Sequence, residues 1–490
     1  MIVCSRRFAD RWYWWTSLFF LMMASIFTAC IFAPGIMTND SLGQYGEALR
    51  GTFGDWHPPV MSIVLHFFLF FKGGLTWLTG LQSISGILGI FVFSHEILRL
   101  LANEKNKDAN LILAACTLTV LFLLPLTPTI FYFNTFIKDT WTAIVFLWVG
   151  AFSLRLFRQR QDMDKRSLQA GVFLLCLLMA FSSLPRHNSL IVLIPMGLCL
   201  SLIVSGTKKK QASLFFLLPL LTWLLINIAM YSLFSVRHYH HSNIVKALDL
   251  AGLCYINPDA CRKLTYTRSS IDLDLLAKGY RFGNVHPLIW SEPPIATPGF
   301  TSAKPNPELD SEYLYALRNY PFDILRLKIE SFMRLFDPRH TVNWFYFEIV
   351  PNPYGLRMNS RFSSLRNVLK SMLEKVGRSL PGRCLAAAHL PWLLVNVLGV
   401  FCFLFAFRQR QDRNSLFFVF LLLQPLSYYL SYLPATIYLD FRFMFPATLL
   451  MQVASGSFLC HVFLKAYGKK AGMKRSGLRP PLPGAVKPFP

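Results

Sequence analysis

Apolar and polar positions divide this 490-residue chain into long apolar blocks joined by short polar ones. Apolar runs lie at 14–33, 59–71, 78–101, 110–128, 140–157, 168–184, 189–205, 213–235, 391–407, 414–433 and 443–464. Most approach the roughly 20 residues that a helix needs to cross a hydrocarbon core. A backbone in lipid must satisfy its own hydrogen bonds, so these runs predict helices. The run at 59–71 is short, the length of a re-entrant or interfacial helix. One long polar block, 237–390, interrupts the pattern and is large enough for a small domain. It carries turn signals at Asn257-Pro258-Asp259, Glu292-Pro293-Pro294 and Pro305-Asn306-Pro307. Amphipathic patterns near 308–335 and 361–378 predict short helices within it.

Composition agrees with a polytopic membrane protein: 54% of residues are hydrophobic. The net charge of +24 raises nucleic acid as a partner. The cations, however, flank the apolar runs or lie in the long polar block, which suits membrane lipids and orientation signals instead. With the 59–71 run kept on one side, Lys105/Lys107, Arg158/Arg160/Lys165/Arg166, Lys208/Lys209/Lys210, Arg408/Arg410/Arg413 and Lys469/Lys470/Lys474/Arg475 all fall inside. If that run spans, most of them face out, against the positive-inside rule. The expectation is an all-α protein of about ten spans, with both termini cytoplasmic and the 237–390 block outside. Residues 1–236 then form an N-terminal module of seven spans with a first outer loop at 34–77. Residues 391–465 form three further spans, and 466–490 a basic tail. Arg6, Arg7 and Arg11 precede a first run too long for a typical signal peptide, so that run reads as an uncleaved span.

This topology sorts the remaining charges onto the outer face. The first outer loop holds Asp40, Glu47, Arg50, Asp55, His57 and Lys72. The next loops hold Lys138-Asp139 and Arg186-His187-Asn188, and the last holds Asp440-Phe441-Arg442. Ionisable groups at a membrane edge mark chemistry or binding. Simpler roles exist for each. Asp40 could cap a helix, Asp139 could serve a helix dipole, and Lys72, Arg186 and Arg442 could snorkel to head groups. A transporter would place its ionisable residues near mid-span, where this chain has few. Cys254 and Cys261 lie close together in the outer block and could form a disulfide in an oxidising compartment. No zinc-spacing cluster or Gly-rich phosphate loop is present. Asp40 and Asp139 are a weak signal for a shared divalent ion, so no metal or other cofactor is expected.

An outer-loop Asp soon after the first span, followed by Asp55-Trp56-His57-Pro58-Pro59 opening a short juxtamembrane helix, resembles the GT-C glycosyltransferases. The likeness is to the protein mannosyltransferase and aminoarabinose transferase type. Lys138-Asp139, Arg186 with Asn188, and Arg442-Phe443-Met444-Phe445-Pro446 extend it. The chain departs from the mannosyltransferase pattern in carrying Asn39-Asp40 for an Asp-Glu pair and Arg442-Phe443 for Arg-Tyr. The resemblance implies a GT-C-like bundle in an inner membrane. It implies an inverting hexosyl or pentosyl transfer from a polyprenyl-phosphate-linked donor to an extracytoplasmic glycan, lipid or protein. Asp40 is then the general base. Lys72, Lys138, Arg186 and Arg442 bind the donor phosphate, and Asp55, His57, Asp139 and Asn188 contact substrate. A lipid-linked glycan flippase, or a surface-glycan ligase or polymerase, is the alternative.

Overall fold

The computed structural model describes residues 2–102, 109–204, 209–337, 345–386 and 388–476. Lys105, Lys107 and Lys208 of the expected inner loops, residues 338–344 and 387 of the polar block, and 477–490 of the tail lie outside them. Among the described residues the protein is helical, and its few β-bridges are isolated. The first half comprises α1 (Ile2–Phe32), α2 (Asn39–Arg50), α3 (Val60–Leu69), α4 (Gly74–Ala102), α5 (Ala109–Leu126), α6 (Thr129–Tyr132), α7 (Lys138–Gln159), α8 (Lys165–Ser183), α9 (Leu193–Val204) and α10 (Lys209–Leu233). The polar block forms α11 (Ser242–Ile256), α12 (Pro258–Lys263), α13 (Thr265–Ser270), α14 (Leu273–Gly279), α15 (His286–Ile289), α16 (Pro307–Asn319), α17 (Pro321–Arg334), α18 (Ser363–Arg378) and α19 (Leu380–Ala386). The chain ends with α20 (Leu390–Arg410), α21 (Arg413–Leu430) and α22 (Phe445–Ser476), so the last helix runs on into the expected basic tail.

Eight stretches are long and apolar enough to cross a membrane: Trp14–Phe32, Gly74–Leu101, Lys138–Gln159, Lys165–Ser183, His187–Val204, Phe215–Leu233, Leu390–Arg410 and Phe445–Lys465. Ten spans are expected from the sequence; the other two coincide with α5, whose run is described only in part, and with α21, which is long enough but less apolar. The described apolar part of α5 covers only Ile112–Leu126 and holds Pro125. α21 carries Arg413, Asn414, Gln424 and Pro425, which dilute its apolar run. The 59–71 run forms α3, a ten-residue helix, in line with its reading as a short element.

One large core joins the long helices around Phe91, Phe146, Leu154, Met196 and Leu449. A second core lies within 244–327, around Leu250, Leu253, Phe300 and Leu327, and touches the bundle through Trp56, Ile437 and Tyr438. The later part of the polar block behaves differently. Phe332, Leu335, Phe336 and Leu373 pack into the bundle core itself. Arg366 of α18 donates to the carbonyl of Ile31, at the end of α1 (2.9 Å).

Two short backbone pairings set the site. Ile36 and Asn134, then Phe136 and Ile36, exchange hydrogen bonds of 2.7 and 2.9 Å. They tie the segment after α1 to the segment before α7. Gly35, at φ +123°, makes the turn, and a Cβ there would collide with the Phe136 ring. Asp55 and Phe53 pair in the same way with Arg237 (3.0 and 2.9 Å), which fastens the first loop to the start of the polar block.

Candidate active site

The first pairing places Asn39-Asp40 beside Lys138-Asp139. Thr38 caps α2: its side chain accepts from the Ser41 N–H, and Ser41 returns a bond to the Thr38 backbone. The Ser41 hydroxyl also donates to the Phe136 carbonyl. Asp40 therefore lies in the first turn and is not the cap, which leaves its carboxylate free for other partners.

Those partners come from three other places in the chain. Arg442 Nη1, in the turn before α22, lies 3.0 Å from Asp40 Oδ2. His57 Nε2, just before α3, lies 3.7 Å from Asp40 Oδ1. Lys138 Nζ, at the start of α7, donates to His57 Nδ1 at 2.9 Å. That bond makes Nδ1 the acceptor, so the tautomer assigned to a neutral His57 carries its proton on Nε2, facing Asp40. Burial, and after it the Lys138 charge, pulls His57 down to about 3, while Asp40 works the other way. His57 is thus neutral at ordinary pH. Burial opposes the Asp40 charge, but Arg442 and, behind it, Lys138 and Arg186 hold the carboxyl well below the usual carboxylate range.

A second layer fixes the cations. Arg442 Nε lies 3.2 Å from Asp440 Oδ2. Asp440 also accepts from the Tyr346 hydroxyl and, at 3.1 Å, from the Arg442 N–H. Burial raises the proton affinity of Asp440, and Arg442 opposes that shift. Arg186 donates to Asp139 Oδ1, and its guanidinium lies over the Phe443 and Tyr432 rings at 4.7 and 5.4 Å. Two guanidiniums, Arg186 and Arg442, and the Lys138 amine therefore gather with three carboxylates, Asp40, Asp139 and Asp440. Among the described residues Lys138 has no carboxylate partner, whereas Arg442 has two. Buried polar atoms are also left over: Gln44 Nε2, Tyr132 Oη, Asp139 Oδ2 and Arg442 Nε make no hydrogen bond among the described residues, so Nε pairs with Asp440 by charge alone. Such atoms are rare in a finished core and suit a polar ligand or water.

Other expected site residues take different places. Lys72 is exposed at the turn between α3 and α4 and makes no ion pair among the described residues. Asp55 is buried and anchored: His238 Nδ1 and the Tyr239 N–H donate to it at 2.9 and 2.6 Å, so it joins two loops. Asn188 donates to Ser431 Oγ at 3.2 Å, tying the α8–α9 connection to the end of α21. Cys254 and Cys261 are disulfide-bonded, linking α11 to α12. Asp40 and Asp139, considered above for a shared ion, each hold a separate guanidinium. Among the described residues no three His, Cys, Asp or Glu side chains gather as metal ligands.

Tyr346 and the anchoring role of Asp440 are not visible in the local sequence pattern. The available signal is the aromatic run Trp344-Phe345-Tyr346-Phe347 inside a hydrophilic block. No family model, curated protein or solved structure matches this chain.

Proposed function

We propose that this protein is an integral membrane glycosyltransferase of the GT-C type, taking a sugar from a polyprenyl-phosphate carrier. The observation that carries the reading is the meeting of Asp40 and His57 with Lys138 and Arg442, from three distant parts of the chain, where the long helices end. This arrangement supplies both groups that the reaction requires. An acceptor hydroxyl is a weak nucleophile and needs a base. A phosphate leaving group gains negative charge and needs fixed cations.

In the proposed step the acceptor oxygen attacks the anomeric carbon and its proton passes to an Asp40 oxygen. The bond from that carbon to the phosphate oxygen breaks, and the electron pair leaves on the phosphate. In-line displacement inverts the anomeric centre. Lys138 and Arg442 hold the phosphate. Arg186, already on Asp139, adds field and orders that carboxylate for sugar or acceptor hydroxyls. His57 keeps Lys138 aimed at the site and presents its N–H towards the base. The apolar helices accommodate the prenyl chain. In this reading the site and the 237–390 block face away from the cytoplasm, and both termini lie inside.

The test is the lipid-linked glycan pool of cells lacking the protein, complemented with wild type or Asp40→Asn. A prenyl-phosphate-linked sugar should accumulate without complementation and in the Asp40→Asn strain, with normal levels of the variant in the membrane. Complementation by Asp40→Asn to the wild-type pool would remove Asp40 as the base.

A further inference from the structure

Arg442 serves two carboxylates that differ in their surroundings. Asp440 is 1% exposed and is held by the Tyr346 hydroxyl and the Arg442 N–H as well as by the guanidinium. Asp40 is 30% exposed, and Arg442 is its only ion partner within 3.5 Å among the described residues. One edge of the guanidinium therefore faces an enclosed carboxylate at ion-pair distance, with no hydrogen bond from Nε, and the other pairs with a carboxylate at the mouth of the site. The Tyr346 ring also lies beside this guanidinium, 5.9 Å from its centre.

Resting on the reading above, we propose that Arg442 is an exchangeable clamp: it sits on Asp40 in the empty site and transfers to the phosphate of an incoming donor, while Asp440 and Tyr346 keep its other edge in place. Asp40 then becomes a working base only when donor is bound. The chemistry favours exchange. A guanidinium presents several N–H donors in a rigid fork, and a phosphate offers it more charge and more acceptor oxygens than one carboxylate. A carboxylate tied to a guanidinium is a poor proton acceptor, since Brønsted behaviour favours a base whose proton affinity is not suppressed. The groups facing Asp40 permit the change. His57 comes from the loop before α3, Lys138 from α7 and Arg186 from the α8–α9 connection, while Asp440, Tyr346 and Tyr438 lie around Arg442. Lys138, without a carboxylate of its own, supplies the second cation for the phosphate. Asp440 and Tyr346 are thus positioning residues: they act on the substrate through Arg442.

The clamp makes Asp40 and the donor phosphate competitors for one cation, which binding can read without turnover. Farnesyl phosphate and farnesol are the probes, titrated against the full-length protein in nanodiscs. Asp40→Asn should bind farnesyl phosphate about tenfold more tightly than wild type, near 1.4 kcal/mol. Tyr346→Phe and Asp440→Asn should bind it several-fold more weakly, and farnesol affinity should be the same in all. Asp40→Ser, equally uncharged, should repeat the Asp40→Asn result and stands in for it where that variant is poorly folded. Unchanged or weaker farnesyl phosphate binding in both Asp40 variants would overturn the clamp. Wild-type protein that prefers farnesol, or makes no distinction, would overturn the prenyl-phosphate reading and the clamp with it.

Discussion

Two enclosed lysines show how the same amine is used in two ways. Lys328 of α17 lies 2.6 Å from Asp249 Oδ2 of α11, and that carboxylate also accepts from the Tyr313 hydroxyl at 3.0 Å. Its side chain is 10% exposed and that of Asp249 is 7% exposed. Lys138 of α7 has only the neutral His57 ring as its polar partner among the described residues. The first amine is sealed against its counter-charge inside the second core. The second stands at the site with no counter-charge of its own. A sealed pair gives architecture, because both charges are spent on each other. An amine with no carboxylate of its own gains a counter-charge when an anionic ligand binds beside it.

The largest expected effect breaks the sealed pair. Lys328→Met leaves Asp249 buried without its cation, and removing one partner of such a pair costs about 3–5 kcal/mol. Burial already raises Asp249 from its ordinary value, with Lys328 opposing it, so the variant's carboxyl takes up a proton more readily. The direction of the pH effect follows. A carboxyl whose folded proton affinity exceeds its unfolded one loses stability as pH rises, so the variant's deficit should grow from pH 5 to pH 8. Thermal unfolding in detergent across that range measures this. The double variant Asp249→Leu with Lys328→Met should recover most of the loss, and a deficit that persists in it would mean that packing, not charge, dominates.

Lys138→Met sharpens the contrast from the other side. Because no carboxylate is stranded, the melting temperature should stay within a few degrees of wild type. Farnesyl phosphate affinity should fall about tenfold, or 1.4 kcal/mol, in the nanodisc titration. A large loss of stability with no change in affinity would place Lys138 with Lys328 as an architectural residue.

Sequence periodicity reaches the elements better than the contacts. The apolar runs give the long helices, and the amphipathic stretches near 308–335 and 361–378 coincide with α16, α17 and α18. Only part of the α5 run is described and polar groups dilute the α21 run, so eight of the ten expected spans stand as long apolar stretches. Asp40 shows a finer limit. A cap reading for Asp40-Ser41 is chemically sound, yet Thr38 stands two positions before Asp40 and takes the role. Asp55 and His57 are neighbours in sequence but not in use. Asp55 is bound to His238 and Tyr239, more than 180 positions away. Asp440 depends on Tyr346 from a segment whose local pattern shows only aromatic character. Charge and residue type identify which groups can react, and only the tertiary pairings decide which of them face one another.

Lys72 supplies the smallest effect and a boundary for the whole comparison. It shares the 34–77 segment with Asp40, so charge alone groups it with Lys138 as a phosphate ligand. In the folded chain α3 intervenes: His57 lies just before it, and Lys72 follows its far end, exposed. A ten-residue helix spans about 15 Å along its axis, beyond the length of a lysine side chain. Lys72→Ala should therefore leave farnesyl phosphate affinity within twofold of wild type and the melting temperature unchanged. A tenfold loss of affinity would mean that the turn between α3 and α4 folds over the site when donor binds, making Lys72 a third kind of lysine: exposed at rest and engaged only by ligand.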